Sequence, residues 1–159
     1  MEKDNQVNEV AKEIEVLEFR AGGNSYGINV NEIREILPFS TKPTLIPNAN
    51  PCIEGIIKPR EFLISIIDLV KVLKLGNVEE YKNEMLIVTS ISDLNIALHV
   101  DSVRGIHRVI SNEIKKPGKK LSTTFNAAVQ GILPHEDYII EILDYRRIFR
   151  EVNQEVILV

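Results

Sequence analysis

Beyond a polar start, apolar residues along this chain recur mainly at every second position. Val16-Leu17-Glu18-Phe19-Arg20 runs into the turn cluster Ala21-Gly22-Gly23-Asn24-Ser25 and resumes as Tyr26-Gly27-Ile28-Asn29-Val30. Two alternating runs around a Gly-rich connection predict a β-hairpin, and paired glycines suit a turn that needs positive φ. A second hairpin is predicted from Met85-Leu86-Ile87-Val88-Thr89, through a turn at Ser92-Asp93, to Ile96-Ala97-Leu98-His99-Val100. Residues 1–13 lack a sustained period and read as a disordered lead-in, and residues 151–159 as a tail.

The two hairpins belong to a repeat. Moving Tyr26–Ile36 forward by 70 positions superposes Ile28 on Leu98, Val30 on Val100, Ile33 on Val103, Arg34 on Arg104 and Ile36 on Ile106. Further along the offset becomes 76, which carries Gly55-Ile56-Ile57 onto Gly131-Ile132-Leu133 and Ile66-Ile67-Asp68 onto Ile142-Leu143-Asp144. The second copy therefore holds about six extra residues in a connection that includes Lys115-Lys116-Pro117-Gly118-Lys119-Lys120. Pro-Gly at its centre marks a solvated turn. The chain is thus a duplicated all-β unit with about five short strands per copy, each the size of a small barrel.

Helical periodicity follows the repeated aspartates. Asp68 is placed to cap Leu69–Leu75, closed by Gly76, and Asp144 stands likewise before Tyr145–Arg150. Units of 60 to 70 residues are marginal alone. The two lobes, expected at about 14–80 and 81–150 within a domain spanning 14–150, should therefore pack together, leaving a groove between them.

Composition narrows the function. The net charge of −4 and only nine aromatic residues, four Tyr and five Phe, argue against nucleic-acid binding. No apolar run approaches the ~20 residues of a membrane helix, and no secretory signal is visible, so a cytoplasmic protein is expected. One cysteine, Cys52, excludes an internal disulfide and reads as a small buried hydrophobe. His99, His107 and His135 show no helical i, i+4 pair, so no metal site is expected. Nucleophile elbow, P-loop and dinucleotide motifs are absent, and no catalytic residue or cofactor is assigned. The one enzymatic alternative is a site on the loop His135-Glu136-Asp137, although turns favour these residues anyway.

A non-catalytic binding module is the better reading, and its candidate residue is Arg60. It lies in Gly55-Ile56-Ile57-Lys58-Pro59-Arg60-Glu61-Phe62, whose counterpart Gly131-Ile132-Leu133-Pro134-His135-Glu136-Asp137-Tyr138 has no matching base. Pro59 is predicted to end a strand and leave the guanidinium at a tip, able to form a fork of hydrogen bonds to a partner.

Together, Glu18-Phe19, Tyr26–Val30, Ile33-Arg34-Glu35-Ile36, Pro47, Gly55-Ile56-Ile57, Arg60 and Ile66-Ile67-Asp68-Leu69, continuing through Val103, Gly131 and Asp144, resemble the CheW-like domain of bacterial chemotaxis coupling proteins. The resemblance covers about Ile14 to Phe149. The family's usual Asn-Leu-Arg-Gly signature stands here as Lys58-Pro59-Arg60-Glu61, and with Arg104–Val109 it looks more like the N-terminal coupling domain of CheV, in which a receiver domain follows. A domain of a longer protein and a freestanding CheW-type adaptor both fit these residues. The resemblance implies two packed five-stranded SH3-like barrels, and an adaptor joining chemoreceptor cytoplasmic tips to the regulatory domain of the histidine kinase CheA. It implies a receptor-binding groove lined by Ile33, Glu35, Arg60, Val103 and Ile106, recruitment to membrane-associated arrays without membrane insertion, and kinase contacts at outer barrel edges that the motif does not assign to residues.

Overall fold

A computed structural model describes residues 10–76 and 83–157. The period-two runs form ten strands among these residues: β1 (Glu13–Ala21), β2 (Asn24–Asn29), β3 (Glu35–Pro38), β4 (Ile53–Ile57), β5 (Ile64–Asp68), β6 (Met85–Ile91), β7 (Leu94–Val100), β8 (Ser102–Ile110), β9 (Val129–His135) and β10 (Tyr138–Leu143). Two helices follow the repeated aspartates, α1 (Leu69–Val72) and α2 (Tyr145–Ile157). The Asp68 carboxylate accepts the Lys71 N–H at 3.1 Å, and that of Asp144 accepts the Arg147 N–H at 3.1 Å. Both repeated aspartates are therefore helix caps.

Several boundaries differ from the sequence reading. Helix α1 stops at Val72 rather than Leu75, because Lys74 adopts positive φ (57°) and turns the chain away. The expected tail at 151–159 is helical through Ile157, since Tyr145, Ile148 and Val152 form an apolar stripe that docks on the core. The lead-in falls outside the described residues up to position 9, and strand β1 already begins at Glu13.

The larger correction concerns the lobes. The two five-stranded sheets have the orders β8-β1-β2-β10-β9 and β3-β6-β7-β5-β4, so a division near residue 80 separates neither. Each sheet takes two strands from one copy of the repeat and three from the other. The offsets of 70 and 76 map the first order onto the second, strand for strand. Registers follow the same mapping: Leu17 pairs with Ile28 and Ile106, as Ile87 pairs with Leu98 and Ile36. The parallel pairs β2–β10 and β5–β7 each join one copy to the other. Alternation fixes which face a residue occupies, but it does not say which strand lies alongside, so the exchange is invisible to periodicity.

The main core lies between the sheets. Leu17, Phe19, Tyr26 and Ile28 from one meet Ile67, Ile87, Ile96 and Leu98 from the other, with Leu69, Ile148 and Val152 closing over them. On the opposite strand faces each barrel has a smaller interior: Ile64, Ile66, Leu86, Val88 and Ala97 in one, Val16, Leu133, Ile140 and Ile142 in the other. Strands buried on both faces explain adjacent buried residues such as Val16 and Leu17. Each fully buried large side chain contributes about 1.5–3 kcal/mol.

The expected turns are present, with positive φ at Gly22 and Gly23 (56° and 82°) and at Ser92 and Asp93 (47° and 69°). The matched glycines, Gly55 and Gly131, mark where a loop segment crosses an edge strand, through the bridges Thr44↔Ile56 and Lys115↔Ile132. A Cβ on Gly55 would lie 2.4 Å from the Thr44 carbonyl oxygen, with φ at +145°. On Gly131 it would meet the Ile114 Cγ2 at 2.6 Å. Gly55→Val is therefore expected to cost roughly 2–5 kcal/mol, from backbone strain plus overpacking. Gly131→Val, which presses on a side chain that can move, should cost about 1–3 kcal/mol. Denaturant melts of the two variants check this order; equal loss at both sites would overturn it.

Candidate functional site

Arg60 leaves the end of β4 as expected: the strand stops at Ile57, and Pro59 holds the following turn apart from the ladder. The guanidinium is not alone. Its Nη2 donates to Glu35 Oε1 at 2.6 Å and also contacts Glu35 Oε2. Glu35 opens β3, one edge of its sheet, while Arg60 follows β4, the other edge. The pair therefore spans the two edges where the barrel closes. Arg60 remains 62% exposed, so the ion pair itself adds little stability. What it does is orient a planar donor that stays largely exposed. Beside it lies a pocket of about 250 Å³ at the mouth of the barrel, lined by Arg34, Glu35, Pro59, Arg60, Phe62, Ile64, Val88 and Asn95.

The other three residues of the expected groove are spread more widely. Ile33 ends the 3-10 turn that leads into β3 and packs half-buried on the inter-sheet core. Val103, its repeat partner, does the same from β8. Ile106 lies on the exposed side of β8, 57% accessible, paired with Leu17. Glu35 and Arg60 are in direct contact, Ile33 and Val103 share a core, and neither Val103 nor Ile106 lines the pocket at Arg60. Sequence reasoning missed Arg34, Phe62 and Asn95 as neighbours of Arg60. The repeat did align Arg34 with Arg104, but a shared arginine carried no sign of a pocket.

Comparison with known proteins now decides the family. A family model described as CheW-like domain matches residues 15–153. The chain belongs to the CheW-like domain family. Chemotaxis protein CheW of Thermotoga maritima is 27% identical over 142 residues, covering 89% of this chain and 91% of that one. Chemotaxis protein CheV3 of Helicobacter pylori is 30% identical over 125 residues, covering 72% of this chain but 39% of that protein. Among solved structures, the scaffolding protein TtCheW from Thermoanaerobacter tengcongensis superposes with a TM-score of 0.80 at 26% identity, covering 89% of this chain and 91% of that one.

The two barrels of this CheW-like chain have equivalent mouths with different contents. The eight residues around Arg60's pocket correspond, through the repeat, to Arg104, Gly105, His135, Glu136, Tyr138, Ile140, Glu18 and Ser25. Where one mouth has Val88, the other has Glu18, only 4% exposed and accepting hydrogen bonds from the Tyr138 hydroxyl at 3.0 Å and 3.1 Å, with His107 Nε2 at 2.6 Å. His107 sits within β8, and its ring meets that of His135 edge-on at 4.4 Å. His135 in turn packs against Tyr138. Glu136 and Asp137 form the two-residue turn between β9 and β10, with Glu136 at φ 52°. The His135-Glu136-Asp137 loop is thus a hairpin turn whose histidine helps fill a barrel mouth. Cys52 is likewise half-buried against the core rather than fully enclosed.

Burial alone would raise the Glu18 pKa, but hydrogen bonds from His107, Tyr138 and Ser25 and the His107 charge bring it below the ordinary 4.5. A carboxylate depressed in the folded state contributes stability that is complete above 4.5 and is lost as pH falls through the lower folded value. Glu18→Gln should therefore lose stability at neutral pH and show a shallower decline on acidification than the parent chain. Melting temperatures measured in an acid series test this; parallel curves for the two proteins would refute it.

Proposed function

We propose that this chain is a non-catalytic chemotaxis coupling adaptor that joins the cytoplasmic tips of chemoreceptors to the regulatory domain of the histidine kinase CheA. The observation that carries the reading is the oriented Arg60–Glu35 pair beside an open pocket at a barrel mouth, in a chain whose fold and sequence are those of the CheW-like family. A receptor tip is a helical hairpin, and a helix laid in a groove needs apolar walls plus a polar group that fixes its register. Ile33 and Val103 supply the walls, Ile106 extends the apolar surface, and Arg60, steadied by Glu35, sets the register. The adaptor works in the cytoplasm and reaches receptor arrays through these contacts. Among the described residues no helix is long and apolar enough to cross a membrane.

The test is a titration of the isotopically labelled chain with a purified chemoreceptor tip fragment. Amide shifts should cluster around Ile33, Arg60 and Val103; shifts confined to other surfaces, or none at all, would overturn the assignment. Arg60→Glu should weaken tip binding by about 1–3 kcal/mol, the scale for reversing a charge-assisted contact, while circular dichroism shows an intact fold. Loss of the folded spectrum in this variant would assign Arg60 a structural role instead.

A further inference from the structure

The end of the barrel opposite Arg60 holds a second charged cluster, also without a counterpart in the other copy. Along β7, Asn95, Ala97 and His99 point to one side: Asn95 lines the pocket at Arg60, Ala97 lies in the barrel interior, and His99 stands at the far end. The His99 ring is clasped from both nitrogens. Nδ1 meets a Glu54 carboxylate oxygen, Nε2 meets Glu84 Oε1 at 2.7 Å, and Phe39 stacks on the ring face at 4.0 Å. Glu54 is the extra residue of a β-bulge in β4, the device that turns its side chain inward. At the equivalent places the other copy has Asn29 and Gln130, both uncharged.

The partners of this clasp matter because of where they sit. Phe39 directly follows β3, the strand that Glu35 opens, and its N–H donates to the Glu84 carbonyl at 3.0 Å. Glu54 belongs to β4, the strand that leads to Arg60. These two strands are the edges of the sheet, each only four or five residues long. His99 on the central strand therefore fastens, at one end, both edges that carry the Arg60–Glu35 pair at the other.

We propose that the His99 clasp is a pH-sensitive fastener: the protonated ring holds β3 and β4 in place, and its deprotonation loosens both strands and weakens binding at Arg60. The second half of this statement rests on the receptor-tip reading above; the first does not. Losing the proton would leave two carboxylates facing a neutral ring that can donate to only one of them. The other charged groups near the ring are committed elsewhere. Asp68 caps α1, Asp101 accepts from the Gly22 N–H at 2.8 Å, and Lys71 Nζ donates to the Pro51 carbonyl at 3.4 Å. Burial alone would lower the His99 pKa, but the Glu54 and Glu84 carboxylates raise it above the ordinary 6.5. The clasp's contribution is thus complete below 6.5 and is lost as pH rises through the raised value.

The experiment follows three quantities in the full chain from about pH 6 to about pH 8.5, the range around an imidazole's titration. They are the His99 ring-carbon shift, hydrogen-exchange protection of β3 and β4 amides corrected for intrinsic rate, and affinity for the receptor tip fragment. Protection and affinity should fall severalfold together as the ring loses its proton, and His99→Gln should make both independent of pH. Should that variant fail to fold, Glu84→Gln replaces it and is expected to move the transition to lower pH. A ring that titrates while protection stays constant overturns the fastener. Protection that follows the ring without any tip binding at either pH keeps the fastener and removes the receptor reading. Tip binding with constant affinity while protection falls removes the coupling between them.

Discussion

Neither barrel covers its own apolar surface. Leu17, Phe19 and Ile28 face outward from one sheet, Ile67, Ile87 and Leu98 from the other, and the two sets bury each other with Leu69, Ile148 and Val152 closing over them. The chain meets this constraint twice over, because the copies also exchange strands. Melting either barrel removes strands from both copies, and the parallel pair within it, β2–β10 in one and β5–β7 in the other, disappears with it. Such a domain has no half that folds alone, and its two barrels are held at a fixed relation by the same contacts that stabilise them. For the proposed adaptor, that fixed relation is the functional property the fold supplies.

Once the frame is settled by apolar contacts, charge is free to differ between the copies. Val88 stands where the other copy has Glu18, and the registers nonetheless match across the repeat. One mouth is filled by Glu18, His107, His135 and Tyr138, so its polar groups satisfy one another. The other keeps an open pocket in which an arginine is steadied but still exposed. A buried polar network that is fully paired rigidifies, whereas a partly solvated donor remains available to a partner.

Much of this was legible in the sequence, for identifiable reasons. The duplication, the two tight turns, the capping aspartates and the crowding at Gly55 and Gly131 all depend on local periodicity or on matched positions, which a single chain displays. The family resemblance carried Arg60 and Glu35 into one site, and the structure joins them. Strand exchange was not legible, because a period of two assigns faces and not neighbours. The Glu18–His107–Tyr138 network was missed for a related reason. Its members come from β1, β8 and β10, up to 120 positions apart, and each looks ordinary in its own segment. The split of His99 between two glutamates was hidden likewise, since a histidine in an alternating strand gives no sign of what faces it.

The asymmetry has a further consequence for how an adaptor can work. A frame with two-fold internal symmetry offers an elongated partner two equivalent docking poses, and a scaffold that accepted both could not place a kinase and a receptor in one defined relation. Discrimination between poses needs only a modest energy difference, about 1.4 kcal/mol for a tenfold preference. A charge-assisted contact at a single mouth is of that size. Arg60 stands where the other copy has Glu136, and Glu35 where it has Gly105. A group that Arg60 attracts would meet a carboxylate in the reversed pose, so the same substitution that favours one orientation penalises the other. Under the proposed receptor reading, the charge difference between Arg60 and Glu136 thus makes a symmetric platform directional, while the apolar core shared by the two barrels keeps the platform rigid.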